Sequence, residues 1–372
     1  MKLLIISSAP LIASHDKWYA YSPYINEIKI WSHYVDEVQF CAPIWKTDEG
    51  LLISEVPFNM LPPIQLIDFN IKSVSAVLNS FYSVFVNMKI IYKAMKNADH
   101  IHLRCPGNIG LLGCFAQILF PNKKKTAKYA GNWDPKSKQP WTYKLQKYIL
   151  TNTLLTKNMQ VLVYGEWTKQ SKNCKPFFTA TYSEKEKETI QKPDCNKTIE
   201  FVFVGSLVTG KNPLYAIQLV EQLIRKGKNV TLNLYGDGIE RTALEQYIQN
   251  NQLDKNIFLR GNQNQETIKK AYQQSHFVLL PSKSEGWPKV IAEGMFWGCV
   301  PVVTAVSCVP FMLDHGNRGV LLDMNLSNDT IQLETIIEDK KCFVDKSIKA
   351  SEWSQQFTKD IFEAEIKKIL QS

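Results

Sequence analysis

A repeated alternation of strand-like and helical segments constrains the fold of this chain more than any other feature. Short apolar or β-branched runs alternate with longer helical patterns, and the alternation restarts after a polar stretch. This order is typical of parallel sheets covered by helices. The predicted strands are Lys2–Ile6, Glu37–Ala42, His100–Arg104, Thr126–Tyr129, Met159–Val163, Ile199–Val204, Val230–Tyr235, Ile257–Arg260, Phe277–Leu280, Val300–Val303 and Val320–Leu322.

The helical patterns and the polar stretch predict two domains of ordinary size. The charged segment Tyr182 to Asn196 is interpreted as a linker between domains 1–185 and 197–349. Residues 350–372 have apolar side chains at helical spacing and are expected to return to the first domain. Two doubly wound, Rossmann-like α/β domains would then face each other across a cleft. The predicted helices are Ser73–Asn97, Gly110–Phe120, Pro213–Lys226, Ile239–Asn250, Thr267–Ser275 and Lys289–Trp297.

Composition indicates a globular protein of a reducing compartment. Hydrophobic residues make up 45% and charged residues 21% of the chain, which excludes a disordered or fibrous class. The eight cysteines show no C-x-x-C or zinc spacing, which favours reduced thiols in the cytoplasm. The apolar start, Met1 to Pro10, is interpreted as a buried first strand rather than a signal peptide. No apolar run reaches the roughly 18–20 residues of a membrane-spanning helix.

Positive charge is concentrated in the first half. Between Lys89 and Lys192 there are 19 Lys or Arg against six Asp or Glu, in a chain of net charge +9. This excess predicts peripheral attachment to an anionic membrane surface, with the run Lys123-Lys124-Lys125 as its centre. A solvated, lysine-rich face is the alternative. No nucleic-acid motif accompanies the lysines, so no nucleic-acid partner is expected.

Two glutamates flank the segment with the clearest chemical signal. Glu285 and Glu293 are eight positions apart, the first in a turn after an apolar strand and the second in a helix starting near Lys289. Such a strand–turn–helix offers free helix N-terminal amides, here at Val290 and Ile291, that suit a phosphate. A carboxylate one turn into the helix could accept bonds from the two hydroxyls of a ribose.

A second turn offers a positive charge. Gly205 and Ser206 follow the strand that ends at Val204, and Lys211 precedes a helix with Pro213 in its first turn. A compact cation near a helix start favours phosphate binding. A generic turn with a surface lysine is the alternative for this segment taken alone.

Together these segments resemble glycosyltransferase family 4, the retaining nucleotide-sugar transferases of GT-B fold. The matching stretches occur in the family's order between Ile199 and Leu322, and the E-x7-E element is the most specific. The resemblance implies donor-sugar contact by Glu285, ribose binding by Glu293 and charge compensation on the leaving diphosphate by Lys211. It also implies a wider set of donor-binding positions: Gly205, Ser206, Arg260, Gly261, Asn262, Gly286, Trp287, Val290 and Ile291.

The first half departs from the family pattern. Ser206 stands where an arginine is common, so Arg104 is considered as the second phosphate cation. No histidine follows the fourth strand, which leaves Asn132 and Asp134 as the candidate polar groups for catalysis. The candidate acceptor-binding residues are aromatic side chains that could stack on sugars, together with polar groups on a neighbouring strand: Trp18, Tyr19, Trp133, His102 and Arg104.

The resemblance therefore implies a retaining glycosyltransferase. No D-x-D motif ends a strand, so the reaction is expected to need no metal or cofactor. Expected partners are a nucleotide sugar and a glycan or lipid-linked glycan acceptor in cell-surface polysaccharide or lipopolysaccharide synthesis. Alternatives are a nucleotide-sugar-binding protein with impaired catalysis and a GT-B phosphorylase or sugar-phosphate synthase. A NAD-dependent dehydrogenase is disfavoured because no G-x-G-x-x-G follows a strand.

Overall fold

A computed structural model describes residues 1–69, 74–190 and 197–371. The chain divides into two compact units. Unit 1 comprises Met1–Phe177 with Glu363–Ser372, and unit 2 comprises Phe178–Phe362. The predicted linker and the start of the predicted helix Ser73–Asn97 lie partly outside the described residues.

The main sheet of unit 1 is parallel throughout, in the order β11-β10-β9-β8-β1-β4-β7. From β1 the chain first builds towards β7 and then returns to β8 on the other side of β1, which is a doubly wound arrangement. Strands of this sheet are β1 (Lys2–Ile6), β4 (Glu37–Ala42), β7 (Ile64–Gln65), β8 (His100–Cys105), β9 (Lys124–Tyr129), β10 (Met159–Tyr164) and β11 (Cys174–Phe177).

A small second sheet, which was not predicted from the sequence, has two strands before the first helix and two after it. Its order is β5-β2-β3-β6, and β2 and β3 form an antiparallel hairpin. The hairpin turns at His15 and Asp16, which both have positive φ, as tight hairpins require. Its strands are short and partly exposed, so they lack the continuous apolar run of a buried strand. They are β2 (Leu11–Ser14), β3 (Lys17–Tyr21), β5 (Ile44–Trp45) and β6 (Ile53–Glu55).

The helices of unit 1 cover the main sheet. Helix α3 packs against both α2 and α4, and the buried core beneath them includes Leu4, Ile101 and Val161. These helices are α1 (Ser22–Ser32), α2 (Val74–Lys96), α3 (Asn108–Ala116) and α4 (Trp141–Thr151).

A charged pair lies inside unit 1. The ammonium group of Lys128, on β9, is fully buried and lies 2.6 Å from a carboxylate oxygen of Glu27, on α1. Buried charges are retained when they are paired, because an unpaired charge away from water is costly. Lys128 is therefore a structural residue of the sheet and not part of an exposed basic surface.

Unit 2 contains a six-stranded parallel sheet in the order β14-β13-β12-β15-β16-β17. It is doubly wound about β12, and the phenyl rings of Phe201 and Phe277 stack across its two central strands, 4.8 Å apart. The strands are β12 (Ile199–Val204), β13 (Val230–Tyr235), β14 (Ile257–Gly261), β15 (Phe277–Leu280), β16 (Val300–Thr304) and β17 (Val320–Leu322).

The helices of unit 2 follow its strands in turn, as the sequence predicts for most of them. Those after β17 were predicted only as one helical segment, 350–370, which the structure divides near residue 355. The helices are α5 (Pro213–Arg225), α6 (Arg241–Asn250), α7 (Gln265–Gln274), α8 (Lys289–Phe296), α9 (Val309–Met312), α10 (Leu326–Glu338) and α11 (Lys340–Ser354).

The last helix, α12 (Lys359–Gln371), starts in unit 2 and ends in unit 1. Its unit 1 part is held by an ion pair between Lys175 and Glu365 and by a hydrogen bond from the Tyr34 hydroxyl to Glu363, 3.1 Å long. Ile366 on this helix is fully buried. The end of the chain is thus a packed part of unit 1. No helix in the described ranges is long and apolar enough to cross a bilayer.

Candidate active site

The two strands at the centre of the unit 2 sheet carry the strongest candidate residues. The turns after β12 and β15 lie side by side, because these strands are neighbours and parallel. The ammonium group of Lys211 lies 2.6 Å from a carboxylate oxygen of Glu285. The amide of Lys283 also donates to the carbonyl of Gly210, at 2.9 Å. Two residues 74 positions apart in the sequence therefore meet where α/β sheets bind ligands.

The ion pair is shielded unevenly from solvent. The Glu285 side chain is 8% exposed, whereas that of Lys211 is 32% exposed. The turn that holds Glu285 is fixed by Ser307 and Cys308, whose side chains donate to the carbonyl of Gly286 at 3.0 and 3.2 Å. These two residues were not identified from the sequence, since they lie in an unremarkable segment after β16. The carboxylate is thus placed by contacts from a third loop.

Glycines join the turn after β12 to the turn after β13. A Cβ atom on Gly236 would lie 1.9 Å from the carbonyl oxygen of Gly205, and one on Gly238 would lie 2.4 Å from that of Leu207. The amides of Gly205 and Leu207 donate across to this second turn, to Tyr235 and Asp237, at 2.9 Å each. Side chains at Gly236 and Gly238 would block this backbone contact.

The start of helix α8 lies next to Glu285. Its N-cap, Pro288, offers no side-chain cap, and the Ile291 amide donates to the Pro288 carbonyl at 3.0 Å. In the part of the chain that the structure describes, no acceptor takes the Val290 amide. Helix N-termini favour anions, so this amide is open to a phosphate. Trp287 is buried, and its ring packs on Trp353 and Phe357 rather than pointing to solvent.

The side chain of Glu293, the predicted ribose ligand, is already hydrogen-bonded to other residues of unit 2. Its carboxylate accepts hydrogen bonds from the hydroxyls of Thr181, at 2.6 Å, and Tyr272, at 3.3 Å. Burial raises the pKa of the Glu293 carboxyl, while nearby Lys289 opposes the shift. A ribose would have to replace one of these protein donors or share the carboxylate with it.

The donor-binding candidates Arg260, Gly261 and Asn262 lie at the end of β14, next to the turn that holds Gly236. The Gly261 carbonyl accepts a bond from the Gly236 amide at 2.9 Å, which connects the end of β14 to the site. Arg260 is exposed, donates to Asn233 at 2.8 Å and stacks on Phe258. Asn262 is also exposed and, like Ser206 on the other turn, faces solvent. These residues remain accessible to a ligand.

Two candidates in unit 1 form a local turn. The Asn132 side chain accepts from the Asp134 amide, and the Asp134 side chain accepts from the Lys136 amide, each at 2.8 Å. Both side chains are partly exposed. Trp133, between them, is only 6% exposed and packs edge-on against Tyr129. The structure corrects the prediction that Trp133 stacks on an acceptor, because little of its ring is reachable.

The structure also corrects the prediction that His102 contacts an acceptor. It lies in the middle of β8 with 1% exposure, bonds to the Thr126 hydroxyl at 2.8 Å and packs on Trp31, 4.5 Å between ring centres. Burial lowers the pKa of His102 well below its usual range, helped by the nearby positive charge of Arg104. It is a neutral core residue and cannot touch an acceptor.

The remaining candidates in unit 1 are more accessible. Trp18 and Tyr19 lie on β3 and are partly exposed. Arg104 is partly buried and lies over the ring of Tyr24 at 4.2 Å. One nitrogen of its guanidinium group is buried without a hydrogen-bond partner among the described residues. These three side chains stay candidates for acceptor or phosphate contacts.

Comparisons with known proteins find glycosyltransferases. Residues 184–350 match the sequence profile of the family described as glycosyl transferases group 1. An uncharacterized glycosyltransferase of Haemophilus influenzae is 26% identical over 166 residues, which is 44% of this chain and 45% of the relative. An alpha-D-kanosaminyltransferase of Streptomyces kanamyceticus is 27% identical over 121 residues, 32% of this chain and 31% of the relative. The chain thus matches less than half the length of these relatives.

Solved structures show the same fold over the whole chain. Anabaena HepE in complex with UDP has a TM-score of 0.68 at 15% identity, covering 100% of this chain and 99% of HepE. A sucrose-phosphate synthase of Thermosynechococcus elongatus has a TM-score of 0.65 at 14% identity, covering 100% and 98%. The fold is that of the GT-B glycosyltransferases, which confirms the predicted fold class.

Residues 184–350 match the glycosyl transferases group 1 family, which confirms the predicted resemblance to glycosyltransferases. The narrower assignment to glycosyltransferase family 4 remains a prediction.

Proposed function

We propose that this protein is a retaining glycosyltransferase that transfers a sugar from a nucleotide-diphosphate sugar to an acceptor hydroxyl. The observation that carries the proposal is the contact between Lys211 and Glu285 at the centre of the unit 2 sheet. A cation and a carboxylate meet there, and the helix that carries the open amide of Val290 starts four residues after Glu285, so these groups suit a diphosphate linked to a sugar.

Different residues of the site bind different parts of the nucleotide sugar. Lys211 and the amide of Val290 bind the diphosphate, while Glu285 contacts the sugar. The Ile291 amide joins them only by exchanging its present hydrogen bond to the Pro288 carbonyl. Glu293 binds the ribose by exchanging one of its present hydrogen bonds. The exposed residues at the end of β14, Arg260 to Asn262, contact the base.

The chemical step places negative charge on the diphosphate as its bond to the sugar breaks. A preorganised cation and helix amides stabilise this growing charge more than they stabilise the bound donor, and this difference accelerates the reaction. The acceptor hydroxyl approaches from the face that the diphosphate leaves, which retains the anomeric configuration. We propose that the reaction needs no metal or cofactor. In unit 1, Asn132 and Asp134 are the candidates for contact with the acceptor hydroxyl.

The acceptor is proposed to be a glycan or a lipid-linked glycan of the cell surface. A TarM structure from S. aureus was solved with UDP and alpha-GlcNAc-glycerol, and shares the fold at a TM-score of 0.56. We propose that this chain acts in the cytoplasm, at the inner face of the cell membrane. The excess of lysines in residues 89–192 supports this location.

Titration calorimetry with nucleoside diphosphates tests the donor site, starting with UDP because HepE was solved with it. Glu293→Ala is expected to weaken binding by about 1.5–3 kcal/mol, the range for a charge-assisted hydrogen bond. Glu285→Gln should leave that affinity near wild type and strongly reduce transfer of the sugar. Equal loss of UDP affinity and of sugar transfer in Glu285→Gln would show that Glu285 has mainly a structural role.

Ser206 favours one alternative, a nucleotide-sugar-binding protein with impaired catalysis. The exposed serine cannot supply the positive charge that an arginine would place beside the diphosphate. Nucleotide-sugar binding without turnover on any glycan acceptor would support this alternative. Sugar-phosphate formation upon addition of inorganic phosphate would instead indicate a phosphorylase.

A further inference from the structure

Exposed aromatic side chains are concentrated on three consecutive helices of unit 1. Large aromatic residues are usually buried, so a cluster of exposed ones marks an interaction surface. Among the described residues, all the exposed large aromatic side chains except Tyr21 lie between residues 81 and 148. They are Phe81, Tyr82, Phe85, Tyr92, Phe115, Trp141 and Tyr148.

Helix α2 combines these rings with positive charges. Phe81 is 78% and Phe85 61% exposed, and their four-residue spacing places them on one side of the helix. Lys89 follows at the same spacing, with its ammonium group 4.5 Å from the centre of the Phe85 ring. Lys93 and Lys96 continue the exposed side towards the end of the helix.

The pattern continues on the neighbouring helices. Helix α3 packs against both α2 and α4, and the rings of Tyr92 and Phe120 are 5.2 Å apart. On α4, Trp141 is 69% and Tyr148 63% exposed, with the exposed Lys144 between them at helical spacing. We call the exposed aromatic and lysine side chains of α2, α3 and α4 the aromatic–basic face. None of the three helices contains an aspartate or glutamate.

The triple-lysine run contributes less than the sequence predicts. The Lys123 ammonium donates to the carbonyls of Lys96 and Ala98, and Lys125 is 2% exposed and donates to the Phe120 carbonyl at 2.8 Å. Burial lowers the pKa of Lys125 to about 8. Only Lys124 of the run is exposed. The accessible charge therefore lies on the aromatic–basic face and not in the run.

We propose that the aromatic–basic face inserts into the interface of an anionic phospholipid membrane. Tyr and Trp rings prefer the headgroup region, and phenylalanines buried in it supply apolar binding energy. Lysines beside them are attracted to anionic lipid. This inference deepens the membrane location proposed above: it assigns the contact to specific side chains and makes attachment depend on aromatic residues as well as on charge.

Charge complementarity favours lipid over a second copy of this chain. A symmetric dimer through this face would place lysines opposite lysines, and α2, α3 and α4 offer no carboxylate to pair with them. An anionic bilayer instead meets the whole face with negative charge.

Co-sedimentation of the full chain with phosphatidylglycerol–phosphatidylcholine vesicles tests the proposal. Full burial of a phenylalanine is worth roughly a tenfold change in affinity, so Phe81→Ser with Phe85→Ser should weaken binding by up to about 100-fold. Changing Lys89, Lys93 and Lys96 to Gln should weaken binding about fivefold per lysine and reduce its salt dependence. The matched control for the phenylalanines is Ile331→Ser with Ile348→Ser, exposed residues of unit 2 that should leave binding unchanged.

Trp141 reports whether rings enter the bilayer. Brominated lipids should quench wild-type tryptophan fluorescence, and quenching should fall clearly in Trp141→Phe. Wild-type affinity of the phenylalanine variant for anionic vesicles would overturn the proposal, as would equal loss in the control. Concentration-dependent dimers that disappear in the phenylalanine variant would assign the face to self-association instead.

Donor binding separates this inference from the proposed enzymatic function. UDP affinity and transfer to a water-soluble acceptor, measured without vesicles, should be the same for the face variants and the wild type. Vesicle binding in a chain that shows no sugar transfer would leave the membrane contact valid and reject the enzymatic function. Sugar transfer by a chain that does not bind vesicles would support the enzymatic function and reject the membrane contact.

Discussion

Replacing Lys211 by methionine should affect ligand affinity and folding stability through the same charge. Methionine keeps most of the length of the side chain and removes the ammonium group. With Lys211 gone, the carboxylate of Glu285, 8% exposed, has lost the cation 2.6 Å away. At an effective dielectric constant of 20 the attraction between such charges is about 6 kcal/mol before desolvation is counted.

The net loss of stability is smaller. Breaking a fully buried pair costs about 3–5 kcal/mol, and Lys211 is one-third exposed, so we expect about 2–3 kcal/mol. Glu285→Gln should cost less, because the remaining charge on Lys211 can reach water. The double variant, with neither charge, should regain most of the stability that Lys211→Met loses.

Affinity for UDP should respond differently from stability. Lys211→Met should weaken binding by about 1.5–3 kcal/mol, and the double variant should stay equally weak because the diphosphate still lacks its cation. Denaturant unfolding and titration calorimetry on the same four proteins measure both effects. A double variant that binds UDP like the wild type would refute the assignment of Lys211 to the diphosphate. Unchanged stability in Lys211→Met would show that the ion pair is not stabilising.

Three further predictions concern other parts of the structure. Gly236→Ala should abolish UDP binding or unfold unit 2, whereas Gly210→Ala, which has open space around it, should change the melting temperature little. Burial raises the pKa of Glu293, so the folded protein keeps the Glu293 proton to a higher pH than the unfolded chain does. The contribution of Glu293 to folding stability therefore falls as pH rises above about 4.3. Between pH 4 and pH 7 the melting temperature of Glu293→Gln should therefore rise relative to that of the wild type. A difference in melting temperature that stays constant over this pH range would contradict the prediction. Ile366→Ala should cost about 2–5 kcal/mol in chemical denaturation, while Ile361→Ala, at 42% exposure, should cost under about 1 kcal/mol; equal costs would mean that the end of α12 is not packed.

The sheets could be predicted because their strands are buried on both faces. A segment such as Phe277–Leu280 is a continuous apolar run between turns, and predicted and observed bounds coincide. The hairpin of β2 and β3 has no such run, and its register depends on tertiary pairing. Sequence spacing therefore located the main sheets and left out the small one.

In the candidate site, too, some residues could be predicted from local sequence features and others could not. Spacing identified Glu285 and the start of α8 because a turn and a helix start are local features. The clash that a side chain on Gly236 would cause arises from Gly205, 31 positions away, and has no local signal. His102 and Trp133 were assigned by chemical type alone, and only burial shows that one belongs to the core and the other is nearly enclosed. The role of a residue type depends on its access to solvent, which a single sequence does not reveal.

The buried pair of Lys128 and Glu27 also has a consequence for chemical labelling. An amine-reactive reagent needs a free, uncharged amine in contact with solvent, and the ammonium group of Lys128 is fully enclosed and held by a carboxylate. Exposed lysines such as Lys124 will be modified rapidly, whereas Lys128 can react only when the sheet of unit 1 opens. The rate at which Lys128 becomes acylated, followed by mass spectrometry, therefore measures how often unit 1 opens, and no engineered probe is needed.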